Sequence, residues 1–455
     1  MNTFSFYLVT DLHYYDPSFK SEGPAYEARS RSDQKCIAET PAIIDKCFSL
    51  LADDKDTEVI LIPGDLVYRG EYQSHVGIRQ KMYELKERGK KIYLITARHD
   101  YAENPCEFEG DKMIPVKGMD RSELRDFYRD FGFDSAISEH SETMSYVARI
   151  ADGIRLLALN CDGDCKSFKG LYPSQLEWAV NEIKKAKDAG DYIFAMTHYP
   201  LLPFSPVMEF IDDTHLTDWQ KTADILADAG LDLIFTGHMH AQAVTDYTTK
   251  NGNIITDVQT GCIVGCPCAY RKVTFNNNLA DINSYTLESF DYDTGGLSAH
   301  DYLKKRFNTV ITDIIDAMAY DFDAFCARFG GTKGKEKLEI PVKFAGGLLN
   351  RLTVGRLGKM LMFKVDKSLE HVLVKNIGVE LARNIFVGNE PYIRGTPVYN
   401  AMSKLMDRLS PITKIIEKKA GKSNPLFADL KGFVLSLIGD ELQRDYNTVI
   451  KINRK

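Results

Sequence analysis

Five short stretches of the chain carry residue types that could do chemistry together: Asp11-Leu12-His13, Gly64-Asp65, His99-Asp100, His198, and Gly237-His238-Met239-His240. Carboxylate oxygens and imidazole nitrogens make a donor set of borderline hardness, the mixture that suits Mn²⁺, Fe, Zn²⁺ or Co²⁺. Each stretch alone is commonplace. Asp-x-His arises by chance in many long chains, Gly-Asp after a strand is usually a turn, and a lone His is usually a hydrogen-bonded core or surface residue. Their ordered series is what points to a metal site.

Such a site needs elements that bring the stretches together. Each follows an apolar run of buried-strand length, at 4–10, 58–63, 91–96, 191–197 and 231–237, with a further run at 153–160. Near-continuous apolar runs are expected where both faces of a sheet are covered. Helical patterns lie between them, such as 174–190, with Ser174 as N-cap and Gly190 as the stop. The five stretches fall just past C-terminal strand ends, the edge at which open α/β sheets bind ligands.

After Gly237 strands follow one another without helices, at 243–249, 253–260, 269–275 and 281–287, with a hairpin at Lys250-Asn251-Gly252-Asn253. Beyond 297 the pattern turns helical, with runs at 299–329, ended by Gly330 and Gly331, and then at 368–386 and 396–420. Two domains are expected in a chain this long. Gly295-Gly296 predicts a boundary between a domain at 1–295 and a helical C-terminal domain at 296–455.

Composition is that of an ordinary soluble globular chain, 44% hydrophobic and 27% charged. No apolar run reaches membrane-spanning length, and the N-terminus has neither a basic leader nor a small-residue cleavage site. A cytoplasmic protein without a membrane span is the expectation. Nine cysteines, an odd number, argue against a disulfide framework. Cys262, Cys266 and Cys268, like the pair Cys161 and Cys165, match no usual zinc spacing and read as small residues in tight packing. The net charge of −7 is uneven: residues 301–455 carry 27 Lys+Arg against 17 Asp+Glu, a balance of +10, which leaves −17 for residues 1–300. An acidic part rich in carboxylates suits metal binding. The basic part could face an anionic substrate, an acidic partner or the acidic part of its own chain.

Taken in order, the five stretches resemble the calcineurin-like metallophosphoesterases, over residues 4 to about 290. The resemblance implies an α/β fold, a four-layer αββα sandwich of two mixed β-sheets with flanking helices, here followed by a mainly helical C-terminal region. It implies a hydrolase of phosphate esters with two divalent transition-metal ions. Asp11, His13 and His240 would hold the first metal, Asp65 would bridge, and His198 and His238 would hold the second. His99 would be general acid or phosphate stabiliser, held by Asp100. Two cations about 3.5–4 Å apart can share a hydroxide, lower its pKa and clamp phosphoryl oxygens, while an imidazole protonates the departing alkoxide.

The spellings Thr10-Asp11-Leu12-His13 and Gly237-His238-Met239-His240 resemble the branch that contains phosphodiesterases. Diester hydrolysis is the first expectation, with a phosphomonoesterase or a non-catalytic phosphate-ligand-binding protein as alternatives. Nucleic acid enters only as a possible substrate, and the sequence leaves protein partners unknown. Gly64-Asp65-Leu66-Val67-Tyr68 also fits the Gly-Asp-x-x-Tyr of purple acid phosphatases, whose tyrosine binds iron. Those enzymes lack the histidine of the first stretch, so Tyr68 is expected to be structural or substrate-facing.

One position departs from the family. The third motif normally reads Gly-Asn-His-Asp or Gly-Asn-His-Glu, with the asparagine oxygen on the second metal; here it reads Ala97-Arg98-His99-Asp100. A guanidinium has five donors and no acceptor, and a nearby cation repels it. Three outcomes are open. Arg98 swings onto a carboxylate or the substrate phosphate; or the second metal is weakened or absent, its charge partly replaced; or the site only binds. The first is favoured, because every other ligand is present and arginine is the preferred bidentate phosphate partner. It makes Arg98 a candidate catalytic residue beside His99 and Asp100. Of the other histidines only His215 is expected near the cleft, and Tyr270-Arg271-Lys272 reads as surface or as a contact to substrate phosphate.

Overall fold

Phe6, Phe194, Phe235 and Phe275 meet ring against ring in a computed structural model of the chain, with centroids 5.2–5.7 Å apart. The structure describes residues 3–163, 168–327, 335–420 and 428–454. Cys165, Gly330 and Gly331 lie outside the described residues. The chain divides into two compact units, Met1–Lys304 with Arg444–Lys455, and Lys305–Gln443.

In chain order the strands are β1 (Phe4–Leu8), β2 (Val59–Pro63), β3 (Lys91–Ile95), β4 (Cys106–Glu109), β5 (Lys112–Pro115), β6 (Ala136–His140), β7 (Ser145–Ala151) and β8 (Ile154–Leu159). There follow β9 (Tyr192–Thr197), β10 (Leu233–Thr236), β11 (Ala243–Thr248), β12 (Ile254–Gln259), β13 (Ala269–Asn276), β14 (Leu279–Thr286) and β15 (Thr448–Lys451). One six-stranded sheet has the order β15-β14-β13-β1-β2-β3, and one seven-stranded sheet the order β11-β12-β10-β9-β8-β7-β6. Both are mixed: β1, β2 and β3 run parallel, as do β8, β9 and β10, while β13 and β7 run antiparallel to their neighbours. The phenylalanine cluster draws Phe6 and Phe275 from the first sheet and Phe194 and Phe235 from the second, so it is the layer where the sheets face each other. The first unit is the αββα sandwich.

The helices of this unit are α1 (Pro24–Ser32), α2 (Thr40–Asp53), α3 (Tyr72–Glu87), α4 (Arg121–Phe127), α5 (Pro173–Asp188) and α6 (Trp219–Ala229). α5 and α6 bury Ala179, Ile183, Ala223 and Leu226 against Leu157, Ile193 and Ile234 of the seven-stranded sheet. α5 begins at Pro173, one residue before the expected cap Ser174. Proline suits the first helical position, where no intrahelical N–H is needed, and the Tyr172 N–H is met instead by Gln175 Oε1 at 3.2 Å. The hairpin at 250–253 joins β11 to β12, with Thr248 paired to Ile254.

α7 (Ala299–Tyr320) leads out of the first unit, and the run expected to continue to 329 breaks at Asp321 before α8 (Phe322–Ala327). The second unit is helical, with α9 (Glu339–Arg351), α10 (Val354–Met360), α11 (Val374–Val387), α12 (Pro397–Ala420) and α13 (Leu430–Ser436). Its small core gathers Val354, Leu369 and Val398.

The helical unit ends at Gln443, earlier than the expected 296–455, because the last residues return to the sandwich. β15 pairs antiparallel with β14, Leu279 opposite Lys451. Arg271 explains why this segment is held. Its guanidinium is fully buried and donates to Asp445 O (2.8 Å), Tyr446 O (3.2 Å), Gln259 O (2.8 Å), Ser284 Oγ (2.9 Å) and Thr260 Oγ1 (3.1 Å). It is therefore neither a surface residue nor a phosphate contact. Lys272 pairs with Asp54 at 2.7 Å. Among the described residues no helix is long and apolar enough to cross a membrane.

Candidate metal centre

The loops after β1, β2, β3, β9 and β10 converge, and their backbones are bonded to one another. His13 N donates to Asp65 O (3.0 Å), Asp11 N to Gly64 O (3.3 Å), and Gly237 N to His198 O (2.9 Å). Two glycines make this closeness possible. A Cβ on Gly64 (φ 95°) would lie 2.8 Å from both Ala97 Cβ and His198 Nδ1, and one on Gly237 would lie 2.6 Å from Asp11 Oδ2. The strain is also carried by the polar residues: Asp11, His13, Asp65, His238 and His240 all have φ between 40° and 69°. Left-handed backbone at non-glycine residues is uncommon and gathers at functional sites.

Six side chains face one another as a result. His13 Nε2 lies 3.0 Å from His240 Nε2, 3.8 Å from Asp11 Oδ1 and 3.7 Å from Asp65 Oδ2. His240 Nε2 lies 3.3 Å from Asp11 Oδ1, and His198 Nε2 lies 3.2 Å from Asp65 Oδ2. Asp65 belongs to two sets whose potential ligand atoms all lie within 4.8 Å of one another, one with His198 and His238 and one with His13 and His99. All of this is buried or nearly so.

The outer nitrogens show how the rings are aimed. His198 Nδ1 donates to Pro63 O (2.8 Å) and His238 Nε2 to Asp213 O (2.6 Å), which leaves His198 Nε2 and His238 Nδ1 for a metal. Burial pushes His198 down, but Asp65 overrides it and lifts the imidazole to about 10. Asp65, pushed up by burial, is held well below the carboxylate range by His198 and its neighbours. The two groups thus attract each other across 3.2 Å, at atoms that would face a metal. The buried His13 Nδ1 and His198 Nε2 lack hydrogen-bond partners among the described residues. The donor set fits divalent transition metals.

Arg98 turns away from this cluster. Its guanidinium donates to Glu103 Oε1 (2.8 and 3.1 Å) and Asp213 Oδ2 (2.6 Å), and it is 34% exposed. Asp213 is further bound by Lys169 (2.8 Å) and the Tyr199 hydroxyl (3.0 Å), while its own carbonyl orients His238.

His99 projects toward His13 and Asp65, but Asp100 does not hold its ring. Asp100 accepts three backbone N–H groups, from Leu66 (2.8 Å), Val67 (3.1 Å) and Ala97 (2.8 Å), and so ties the second loop to the third. The His99 ring donates Nδ1–H to Tyr68 O (2.9 Å), and its backbone N–H donates to Asp65 Oδ1 (3.1 Å). Burial and then the charge of Lys35 lower the His99 imidazole to about 4. The Tyr68 hydroxyl is taken by Arg29 (2.6 Å) and Asp33 (3.4 Å), away from the ligand cluster. His215 bonds Thr214 Oγ1 (2.8 Å) and joins none of the ligand sets.

The sequence model of the calcineurin-like phosphoesterase family matches residues 4–242, more than half of the chain. The chain belongs to the calcineurin-like phosphoesterases. It is accordingly a metal-dependent hydrolase of phosphate esters. No curated protein matches the sequence. Among solved structures it is similar to a dimetal phosphatase from Danio rerio, at 12% identity over 62% of this chain and 95% of that one, with a TM-score of 0.44. It is similar also to a purple acid phosphatase from yellow lupin, Lupinus luteus, at 16% identity over 63% of this chain and 52% of that one, TM-score 0.38. A third is the NAD nucleotidase of Haemophilus influenzae, at 13% identity over 78% of this chain and 62% of that one, TM-score 0.34.

Several residues around this phosphoesterase centre escaped the motif reading. Gln34 Nε2 lies 2.8 Å from His240 Nδ1 and aims the ring, and Lys35 Nζ lies 3.5 Å from His99 Nε2. Both come from the loop between α1 and α2, where no strand end or pattern marks them. His75 lies under the third loop: Nε2–H donates to Asp100 O (2.8 Å) and Nδ1 accepts from the Tyr128 hydroxyl (2.6 Å). Cys262 donates its thiol to Asp11 O (3.1 Å), and burial keeps that thiol protonated. Cys262 also stands within ligand distance of His13 and His240, and all eight described cysteines are free and buried.

Proposed function

We propose that Asp11, His13 and His240 hold one metal ion, that His198 and His238 hold a second, and that Asp65 bridges them, in a hydrolase that prefers phosphodiesters. The observation that carries the assignment is the place of Asp65, which groups with His198 and His238 on one side and with His13 on the other, His13 in turn lying 3.0 Å from His240 and 3.8 Å from Asp11. When bound, the cations supply Lewis-acid stabilisation of phosphoryl charge and activate water. The chain's own residues do the rest. Asp65 fixes the loop of His99 through the His99 N–H, and Tyr68 O takes Nδ1–H so that Nε2 faces the cluster. His99 would protonate the leaving oxygen or donate to the phosphoryl group as imidazolium, after a second proton has been taken up at Nε2. Arg98, neutralised by Glu103 and Asp213, keeps His238 in place through the Asp213 carbonyl instead of binding metal.

The diester preference rests on the Asp-Leu-His and Gly-His-Met-His spellings, which are similar to those of phosphodiesterases. A monoester reading stands second, and the buried cation Lys35 favours it. Catalysis is assigned to residues 1–295 and the location to the cytoplasm. The test is metal content together with kcat/KM on bis(p-nitrophenyl) phosphate and p-nitrophenyl phosphate, after loading with Mn²⁺, Fe²⁺, Zn²⁺ or Co²⁺ in turn. Two metals per chain and faster diester turnover are expected. A chain that takes up no metal after loading would refute the assignment.

A further inference from the structure

We propose that Lys35 is a phosphate-binding residue of this centre, its ammonium holding a phosphoryl oxygen of the substrate beside His99. This rests on the hydrolase reading above and names a residue that none of the family motifs contains. Lys35 is only 7% exposed. Its ammonium nevertheless has one hydrogen-bond partner among the described residues, His99 Nε2 at 3.5 Å, and forms no ion pair with a carboxylate there. The nearby Asp33 carboxylate attracts Lys35 through space but makes no ion-pair contact with its ammonium. Its oxygens are bound by Arg29 (2.9 Å), the Tyr68 hydroxyl (3.4 Å) and the backbone N–H of Lys35 itself (3.1 Å).

A buried ammonium with no carboxylate in contact is costly, and an anion delivered to it lowers the cost. The anion that this centre receives is a phosphoryl group. The loop is built to keep the charge in place: Cys36 N donates to Val264 O (2.8 Å), Gln34 is fastened to His240 (2.8 Å), and the ammonium stands 5.6 Å from the centre of the Tyr68 ring. Lysine acts here as a compact point charge with three donors. Coulomb attraction scales with the charge of the anion, so Lys35 contributes more to a dianionic monoester than to a monoanionic diester.

The experiment uses the full chain loaded with metal and inorganic phosphate as the probe. Lys35→Met keeps the apolar stem against Tyr68 and removes the charge. The expected result is an increase of about 10–10²-fold in the Ki of phosphate, the loss of one charge-assisted contact in a water-poor site, with metal content unchanged. KM should rise more for p-nitrophenyl phosphate than for bis(p-nitrophenyl) phosphate, and Lys35→Arg should recover most of the phosphate affinity. If the methionine variant does not fold, Lys35→Gln takes its place. A neutral variant with native phosphate affinity, or one that loses its metal along with its phosphate, overturns the proposal alone. A native, metal-loaded chain that neither binds phosphate nor hydrolyses either ester overturns the hydrolase reading as well.

Discussion

The two ends of the ligand cluster are held in different ways. At the end of Asp11, His13 and His240 the supports are neutral: the Thr10 hydroxyl on Asp11 (2.8 Å), the Gln34 amide on His240 (2.8 Å) and the Cys262 thiol on the Asp11 carbonyl (3.1 Å). At the end of His198 and His238 the support is a chain of charges, from Arg69 through Glu103, Arg98 and Asp213, with Lys169 alongside. Neutral buried supports fix one geometry and ignore salt, whereas partly exposed ion pairs are screened in part. The difference shows how an arginine can stand at a metal-ligand position of the family: its charge is spent on carboxylates that orient the next ligand out.

Removing what both ends share should have the largest effect. Asp65→Asn takes a charge from between them, so occupancy should fall at both positions and several kcal/mol of transition-state stabilisation should be lost. Elemental analysis and kcat/KM measure this, and loss of a single metal would show that Asp65 belongs to one end only. His99→Ala should lower kcat by about 10²–10⁴-fold if the ring protonates the leaving group. The loss should shrink for nitrophenolate leaving groups. An equal loss for good and poor leaving groups would assign it to phosphate stabilisation.

Acid should act on the third loop through His75. Burial lowers this imidazole from 6.5 to about 4. The unfolded chain therefore takes up the proton first; stability is intact above about pH 6.5 and is lost as the pH falls towards 4. Linkage puts the loss from this residue at about 2 kcal/mol by pH 5. Denaturant unfolding at pH 7 and pH 5 should show that much less sensitivity in His75→Gln, and an unchanged difference would remove His75 from the account.

The smallest effect should sharpen the comparison most. Arg98→Ala frees Asp213 and loosens His238, so the second metal should bind about 10-fold more weakly, as for other residues that orient a ligand. The first metal should be unaffected. Arg98→Asn restores an oxygen ligand and should offset much of the loss. Metal titrations that are identical in all three proteins would mean that the charged chain does not support His238.

Much of the sandwich was legible because each buried strand is a continuous apolar run and each ligand follows directly after one. β4, β5, β6, β7 and β15 were not legible. β6 and β15 are short and partly exposed, and β15 is specified by its partner β14 and by the hydrogen bonds of Arg271 rather than by its own pattern. Arg98 was readable as incompatible with a metal, yet its actual partners, Glu103 and Asp213, are set by where two loops meet.

By itself the sequence determined the kinds of donor atom, their order, and the strand ends that carry them, since hydrophobic periodicity and residue chemistry are local properties. Tertiary structure alone decided which groups stand behind those donors. Asp100 serves backbone N–H groups instead of the His99 ring, Tyr68 carries that ring through its carbonyl, and Lys35 arrives from a loop without a motif. Such choices depend on satisfying buried polar groups between segments far apart in the chain, and that requirement leaves no periodic mark in the sequence.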